Sequence, residues 1–143
     1  MLGTLAKWLR ICGYDTEYAH AESDDEIIER ARKEGRIVIT RDKELFERCK
    51  SAILVENNGI EEQLQRVFRE ANLSIDEENI LTRCTVCNVA VKEIEKEKVK
   101  EKVPPHAYEN HEEFWICPKC KRIYWMGTHW ENMEKMIKKL ESP

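Results

Sequence analysis

The chain has 143 residues, six cysteines, a formal net charge of −4 and 36% charged side chains. That length holds one ordinary domain, or a small α/β unit plus a metal-stapled module too small to build a core alone. Its charges share helices with apolar stripes, which excludes a disordered chain, and it shows no signal peptide or membrane-spanning apolar run, so a cytoplasmic protein with reduced thiols and no membrane partner is expected.

Leu2, Leu5, Ala6, Leu9 and Cys12 recur at helical spacing opposite Lys7 and Arg10, and Gly13 follows as a stop, which predicts an amphipathic helix from almost the first residue. A short extended piece, 15–19, comes next. Ser23 with Glu26 three residues on makes a capping box that opens a second helix through Ile27, Ile28 and Ala31, ended by Gly35. The β-branched run 36–40 predicts a strand buried on both faces, followed by a third helix from near Asp42. Residues 52–55 predict the next strand, and Ile60, Leu64, Val67, Phe68 and Ala71 a fourth helix. Alternating strands and helices predict a parallel α/β sheet over residues 1–78.

Residues 74–82 read as a polar bridge. Beyond it the pattern changes to a cysteine module spanning 79–143. Cys84/Cys87 and Cys117/Cys120 are two CxxC pairs with 29 residues between them. Two intervening residues let a tight turn aim both sulfurs at one ion, and two such knuckles complete a tetrahedron around Zn²⁺. Four thiolates leave no open position, so the zinc is structural. Disulfides, a redox CxxC or unrelated thiols are the competing readings. Cys12 and Cys49, in helical patterns, read as small core residues, and His106 and His111 as solvated loop residues that four thiolates make unnecessary.

The Lys/Glu-rich run 91–102 predicts a solvated helix or hairpin arm ended by Pro104 and Pro105. Residues 114–116 and 123–126 predict aromatic-rich strands around the second knuckle. Thr128 and Glu131 form a further capping box, opening a last helix with Trp130, Met133, Met136, Ile137 and Leu140 on one face. Its N–H groups, with Thr128 and His129, could receive an RNA phosphate, while Trp115, Trp125 or Trp130 could stack a base. Packing around the zinc module accounts for the same aromatics equally well.

Charge is uneven along the chain: residues 1–78 carry 12 Lys/Arg against 18 Asp/Glu, and 79–143 carry 12 against 10. The acidic first part argues against a simple electrostatic clamp for nucleic acid but could gather a divalent metal. Thr40-Arg41-Asp42-Lys43-Glu44 follows the C-terminal end of a buried strand, where open parallel sheets place ligands. Asp24 and Asp25 open the preceding helix, and a right-handed crossover would bring them near Asp42. Hard divalent ions take such oxygens, with substrate phosphates completing the shell, and could activate water for attack on a phosphodiester. Ordinary helix capping explains each aspartate taken singly.

The segments MLGTLAKWLRICGYDTEY, SDDEIIERARKEGRIVITRDKEL, RCTVCN and EEFWICPKCKRIYWMGTHWENM, in that order, resemble the Mut-seven C-terminal RNase family. The resemblance spans nearly the whole chain. It implies a PIN-like α/β domain over 1–78, a zinc ribbon with a C-terminal helix over 79–143, a Mg²⁺- or Mn²⁺-dependent carboxylate site, and RNA as substrate. On the matching positions it implies metal or water ligation by Asp42, loop orientation by the Thr40 hydroxyl and phosphate contact by Arg41. Asp24 corresponds to the acidic residue opening the helix before the TRD strand, with Asp25 as a substitute and Glu44 as an extra ligand. Members of the family normally begin with a short Asp-bearing strand before the first helix, and this sequence starts at the Met of that helix. The expectation is therefore weak or no divalent-metal-dependent cleavage by residues 1–143, raised by an upstream Asp-bearing strand. The alternative function is a noncatalytic zinc-ribbon adaptor binding RNA or protein.

Overall fold

The computed structural model describes residues 2–126 and 129–141, the side chains of 77, 129–132 and 141 excepted. It is an α/β protein with a small parallel sheet, helices and a four-cysteine cluster. The chain divides into two compact units, one formed by residues 2–6 and 17–74 and the other by 7–16 and 75–141. Helix α1 (Gly3–Ile11) contributes to both stretches. No helix among the described residues is long and apolar enough to cross a membrane.

In the first unit, α2 (Asp24–Glu34) starts where Ser23 Oγ accepts the Glu26 N–H at 3.2 Å and ends at Gly35, whose φ of 66° is the left-handed conformation glycine adopts without strain. Strands β1 (Val38–Thr40) and β2 (Ala52–Leu54) pair in parallel, with α3 (Lys43–Arg48) as the crossover between them. β1 is shorter than the expected 36–40, and Ile39 is only half-buried. Ala31, Val38 and Leu45 form a core cluster joined by Ile27, Ile28, Cys49 and Ala52, so one face each of α2 and α3 closes on the sheet. Helix α4 (Ile60–Glu70) buries Leu64, Val67 and Phe68, as its apolar stripe predicts. Residues 15–19 form no strand. Instead, Glu17 belongs to an ion network in which Arg30 pairs with Glu17, Glu22 and Glu34, and Arg36 pairs with Glu17 and Glu34. Two guanidinium groups beside Glu34, Arg36 first, hold its carboxyl below the usual range.

The second unit departs further from expectation. The bridge 74–82 is not merely polar: Ile80 packs with Ile11, Met133 and Ile137, joined by Trp8, Ile75 and Leu81. Of the two alternatives for the Lys/Glu-rich run, the hairpin arm is the one present, and the solvated α-helix is not. The run forms β3 (Lys92–Ile94), antiparallel to β4 (Phe114–Ile116), and then a 3₁₀ turn at Lys96–Val99 with Val99 fully buried. Pro104 and Pro105 do not end an element but begin one, α5 (Pro105–Asn110), because proline at a first helical position forgoes an N–H that would be unpaired anyway. Strand β5 (Ile123–Tyr124) completes the order β3-β4-β5. Phe114, Val99, Val103 and Ala107 form the core of this sheet, with Ile94, Tyr108, Ile123 and Trp125 around it. The last helix, α6 (His129–Glu141), buries Met133 and Ile137; its expected cap Thr128 lies outside the described residues.

Gly13 has a φ of 96°, and a Cβ there would lie 2.4 Å from the Asn79 carbonyl oxygen. Backbone conformation and space both require glycine. Gly13→Ala is expected to destabilise the second unit by about 2 kcal/mol, read as a lower denaturation midpoint; an unchanged midpoint would contradict this packing.

Candidate metal centre and acidic edge

The two CxxC segments fold as matching knuckles. In the first, the Cys84 N–H donates to Val89 O and the Asn88 N–H to Cys84 O, both at 2.9 Å. In the second, the Cys117 N–H donates to Arg122 O at 3.0 Å and the Lys121 N–H to Cys117 O at 2.9 Å. Within each knuckle the second cysteine's N–H points at the first one's sulfur, at 3.4 Å. The residue after each second cysteine takes the left-handed conformation, with φ 63° at Asn88 and 66° at Lys121. Asparagine tolerates this; lysine costs about 1 kcal/mol there. Lys121→Gly is expected to raise the stability of the protein by about that amount, visible as a higher denaturation midpoint, whereas a lower one would contradict the assigned strain.

The four sulfurs lie within 4.8 Å of one another, and no other group of three or more His, Cys, Asp or Glu donors able to hold a metal occurs among the described residues. Cys84 and Cys120 Sγ are 3.7 Å apart and all six cysteines are free thiols. Such a separation is far beyond a disulfide bond and close to the roughly 3.8 Å edge of a tetrahedron with Zn–S of about 2.3 Å. The quartet therefore fits a metal such as zinc. His106, exposed on α5, and half-buried His111 stand outside it.

Residues that the sequence did not single out surround the first knuckle. The Arg10 guanidinium donates to Thr85 O and to Thr16 O, each at 2.8 Å, and the Asn88 side chain accepts the Thr16 N–H at 2.9 Å while donating to Asp15 at 2.7 Å. Burial raises the Cys84 thiol, but hydrogen bonds from Tyr124 and from backbone N–H groups outweigh it and bring it down to about 6. Burial, then the hydrogen bonds and charge of the neighbouring sulfurs, pushes Cys87 up to about 12. Away from the quartet, burial pushes Cys12 up to about 11 and leaves it a core residue, while half-buried Cys49 joins the α2–α3 cluster.

The acidic residues occupy the first unit. Thr40 ends β1 with its side chain buried, and its hydroxyl accepts the Asp42 N–H at 3.0 Å. Asp42 caps α3, accepting the Glu44 N–H on Oδ1 at 2.9 Å, and is exposed, as is Glu44. Arg41 between them is half-buried. Asp24 and Asp25, at the first turn of α2, both pair with Arg48, Asp24 at 3.8 Å. Arg48 ends the helix that Asp42 caps, about 9 Å further along its axis. Asp24 and Asp25 are thus brought together on one guanidinium, and Asp42 and Glu44 on one helix start. The four carboxylates do not gather into a single group of three or more. Arg48 was missed in the sequence because its partners lie 23 and 24 residues away, beyond any helical spacing.

Parallel pairing sets Thr40 beside Leu54, so the segments following both strands leave from the same edge of the sheet. Exposed Glu56, Asn57 and Asn58 follow β2 there. A loop after the second strand's C-terminal end is the signal that would have found them. Of the expected RNA contacts, Thr128 lies outside the described residues, and His129 and Trp130 are placed in the first turn of α6 by their backbone alone.

A family model described as Mut7-C RNAse domain matches residues 1–137. No curated protein and no solved structure matches the chain.

Proposed function

Because the chain belongs to the Mut7-C RNAse domain family, we propose that it is a divalent-metal-dependent ribonuclease of PIN-like type whose cysteine quartet holds a structural zinc. The observation that carries this reading is the extent of the family match, which takes in both the TRD segment at the sheet edge and all four cysteines. Hard carboxylate oxygens suit Mg²⁺ or Mn²⁺, and such ions are commonly held by only one or two carboxylates, with phosphate oxygens filling the shell. Asp42, exposed beyond the end of β1, would hold the ion, and Asp24 would join it on leaving Arg48, with Asp25 and Glu44 as neighbours. Once bound, it would supply Lewis acidity and a water acidic enough to attack phosphorus at neutral pH.

The chain's own part is positioning. The Thr40 hydroxyl ties down the Asp42 backbone, and the Glu44 N–H fixes Oδ1 of Asp42, leaving Oδ2 without a hydrogen bond among the described residues. Arg41 is suited by its charge to a phosphate of the RNA, and Thr128, His129 and Trp130, where the sequence pattern opens a helix, are the other residues proposed to contact RNA. Arg48 is the internal cation that an incoming metal must compete with for Asp24 and Asp25.

That pairing also favours a second reading, a noncatalytic adaptor that keeps the zinc ribbon and binds RNA or protein. The substitution Asp42→Asn in the full-length protein separates the two. A ribonuclease loses cleavage and keeps its zinc and RNA affinity, whereas an adaptor has no cleavage to lose.

A further inference from the structure

The two knuckles match in backbone but not in what surrounds their sulfurs. On β5, Ile123 and the following Trp125 pack into the sheet core, so alternation sends the intervening Tyr124 to the opposite face. There its hydroxyl lies 3.0 Å from Cys84 Sγ. The Thr85 N–H donates to the same oxygen at 3.2 Å. With one lone pair taken by that N–H, the hydroxyl proton is directed to sulfur; the Thr85 hydroxyl, at 3.5 Å, is the more distant acceptor. A metal-bound Cys84 carries no proton, so Tyr124 can only be the donor in this pair. Cys117, the counterpart of Cys84, receives the Cys120 N–H and no hydroxyl among the described residues.

We propose that Tyr124 is a positioning residue of the metal centre: its O–H···S bond fixes the Cys84 thiolate and withdraws charge from it, making the first knuckle the tighter half of the site. The inference rests on the reading that the quartet binds a metal tetrahedrally. Outer hydrogen bonds of this kind orient ligands and tune the metal they hold. Bonds to a charged acceptor are among the stronger ones a protein makes.

Cobalt(II) substitution tests the bond directly, because its sulfur-to-metal charge-transfer band reports electron density on the thiolates. Tyr124→Phe keeps the ring and removes only the hydroxyl. The expected result is a shift of that band to longer wavelength, together with release of zinc to excess chelator about five- to tenfold faster than in the parent. A parent that forms no tetrahedral thiolate–cobalt spectrum would overturn the metal reading and this inference with it. A parent that does so, beside a variant identical in band position and release rate, would overturn the role of Tyr124 alone. The unsubstituted protein gives an independent check. Loaded with cadmium-113, it should show a slowly exchanging Tyr124 hydroxyl proton coupled to the metal, and a freely exchanging proton with no coupling would equally refute the bond.

Discussion

Removal of the zinc is expected to expose residues 7–16 to hydrogen exchange together with both cysteine knuckles. Arg10 donates to the Thr85 carbonyl and Asn88 accepts the Thr16 N–H, and these two bonds tie the segment to the first knuckle. Leu81 adds a backbone bond, its N–H donating to Ile11 O at 2.8 Å. The Thr85 carbonyl and Asn88 belong to a turn whose shape depends on four thiolates held around one ion. A structural zinc site contributes roughly 10–16 kcal/mol to folding, as much as the whole stability of an ordinary domain. Without it the knuckle should open and release its partners. Exchange followed by mass spectrometry before and after chelation checks this: peptides covering 7–16, 82–91 and 114–124 should lose protection together. Retained protection of 7–16 in the metal-free protein would show that α1 is held independently of the cysteines.

The second large effect is expected at Asp42. On the proposed reading, replacing its carboxylate by an amide should lower RNA cleavage about a thousandfold or more, equivalent to roughly 4 kcal/mol of transition-state stabilisation. Asparagine is as good a helix N-cap as aspartate, so Asp42→Asn should keep α3 capped through the Glu44 N–H and leave the fold intact. Asp42→Ala would lose the cap as well, about 1 kcal/mol, and confuse stability with chemistry. The asparagine variant thus isolates the negative charge. Unchanged thermal stability and zinc content, with cleavage lost, is the expected pattern.

Much of the first unit was legible in the sequence because its signals are local. Ser23 and Glu26, Gly35, Asp42 and the stripe on α4 each act within four residues, and the helices they predict are present. The cysteine quartet was legible for the same reason, as two short turns of one type. What escaped was set by distant neighbours. β3 was legible only as one of two alternatives for the Lys/Glu run, because Lys92 and Glu93 are exposed and half-buried Ile94 is its apolar contact with the core. Pro104 and Pro105 carry a stop signal and a start signal at once, and the choice between them rests on Ala107 being buried against Phe114. The polar appearance of 74–82 concealed Ile75, Ile80 and Leu81, whose partners Ile11 and Met133 are remote in sequence. In the acidic site, the aspartates were visible but the cation between two of them was not, since nothing local links Arg48 to Asp24 and Asp25. Tyr124 escaped because a strand aromatic beside a knuckle reads as packing until its hydroxyl is seen against sulfur.

The central claim is tested most directly by the initial rate at which the full-length, zinc-loaded protein cleaves a labelled single-stranded RNA as Mn²⁺ is titrated, with Asp42→Asn measured alongside. Saturable, manganese-dependent cleavage by the parent, and its loss in the variant at undiminished RNA affinity, is the predicted result. Cleavage that persists in the variant at the parental rate, or its absence from both proteins at every manganese concentration even with an upstream Asp-bearing strand supplied, would contradict the account.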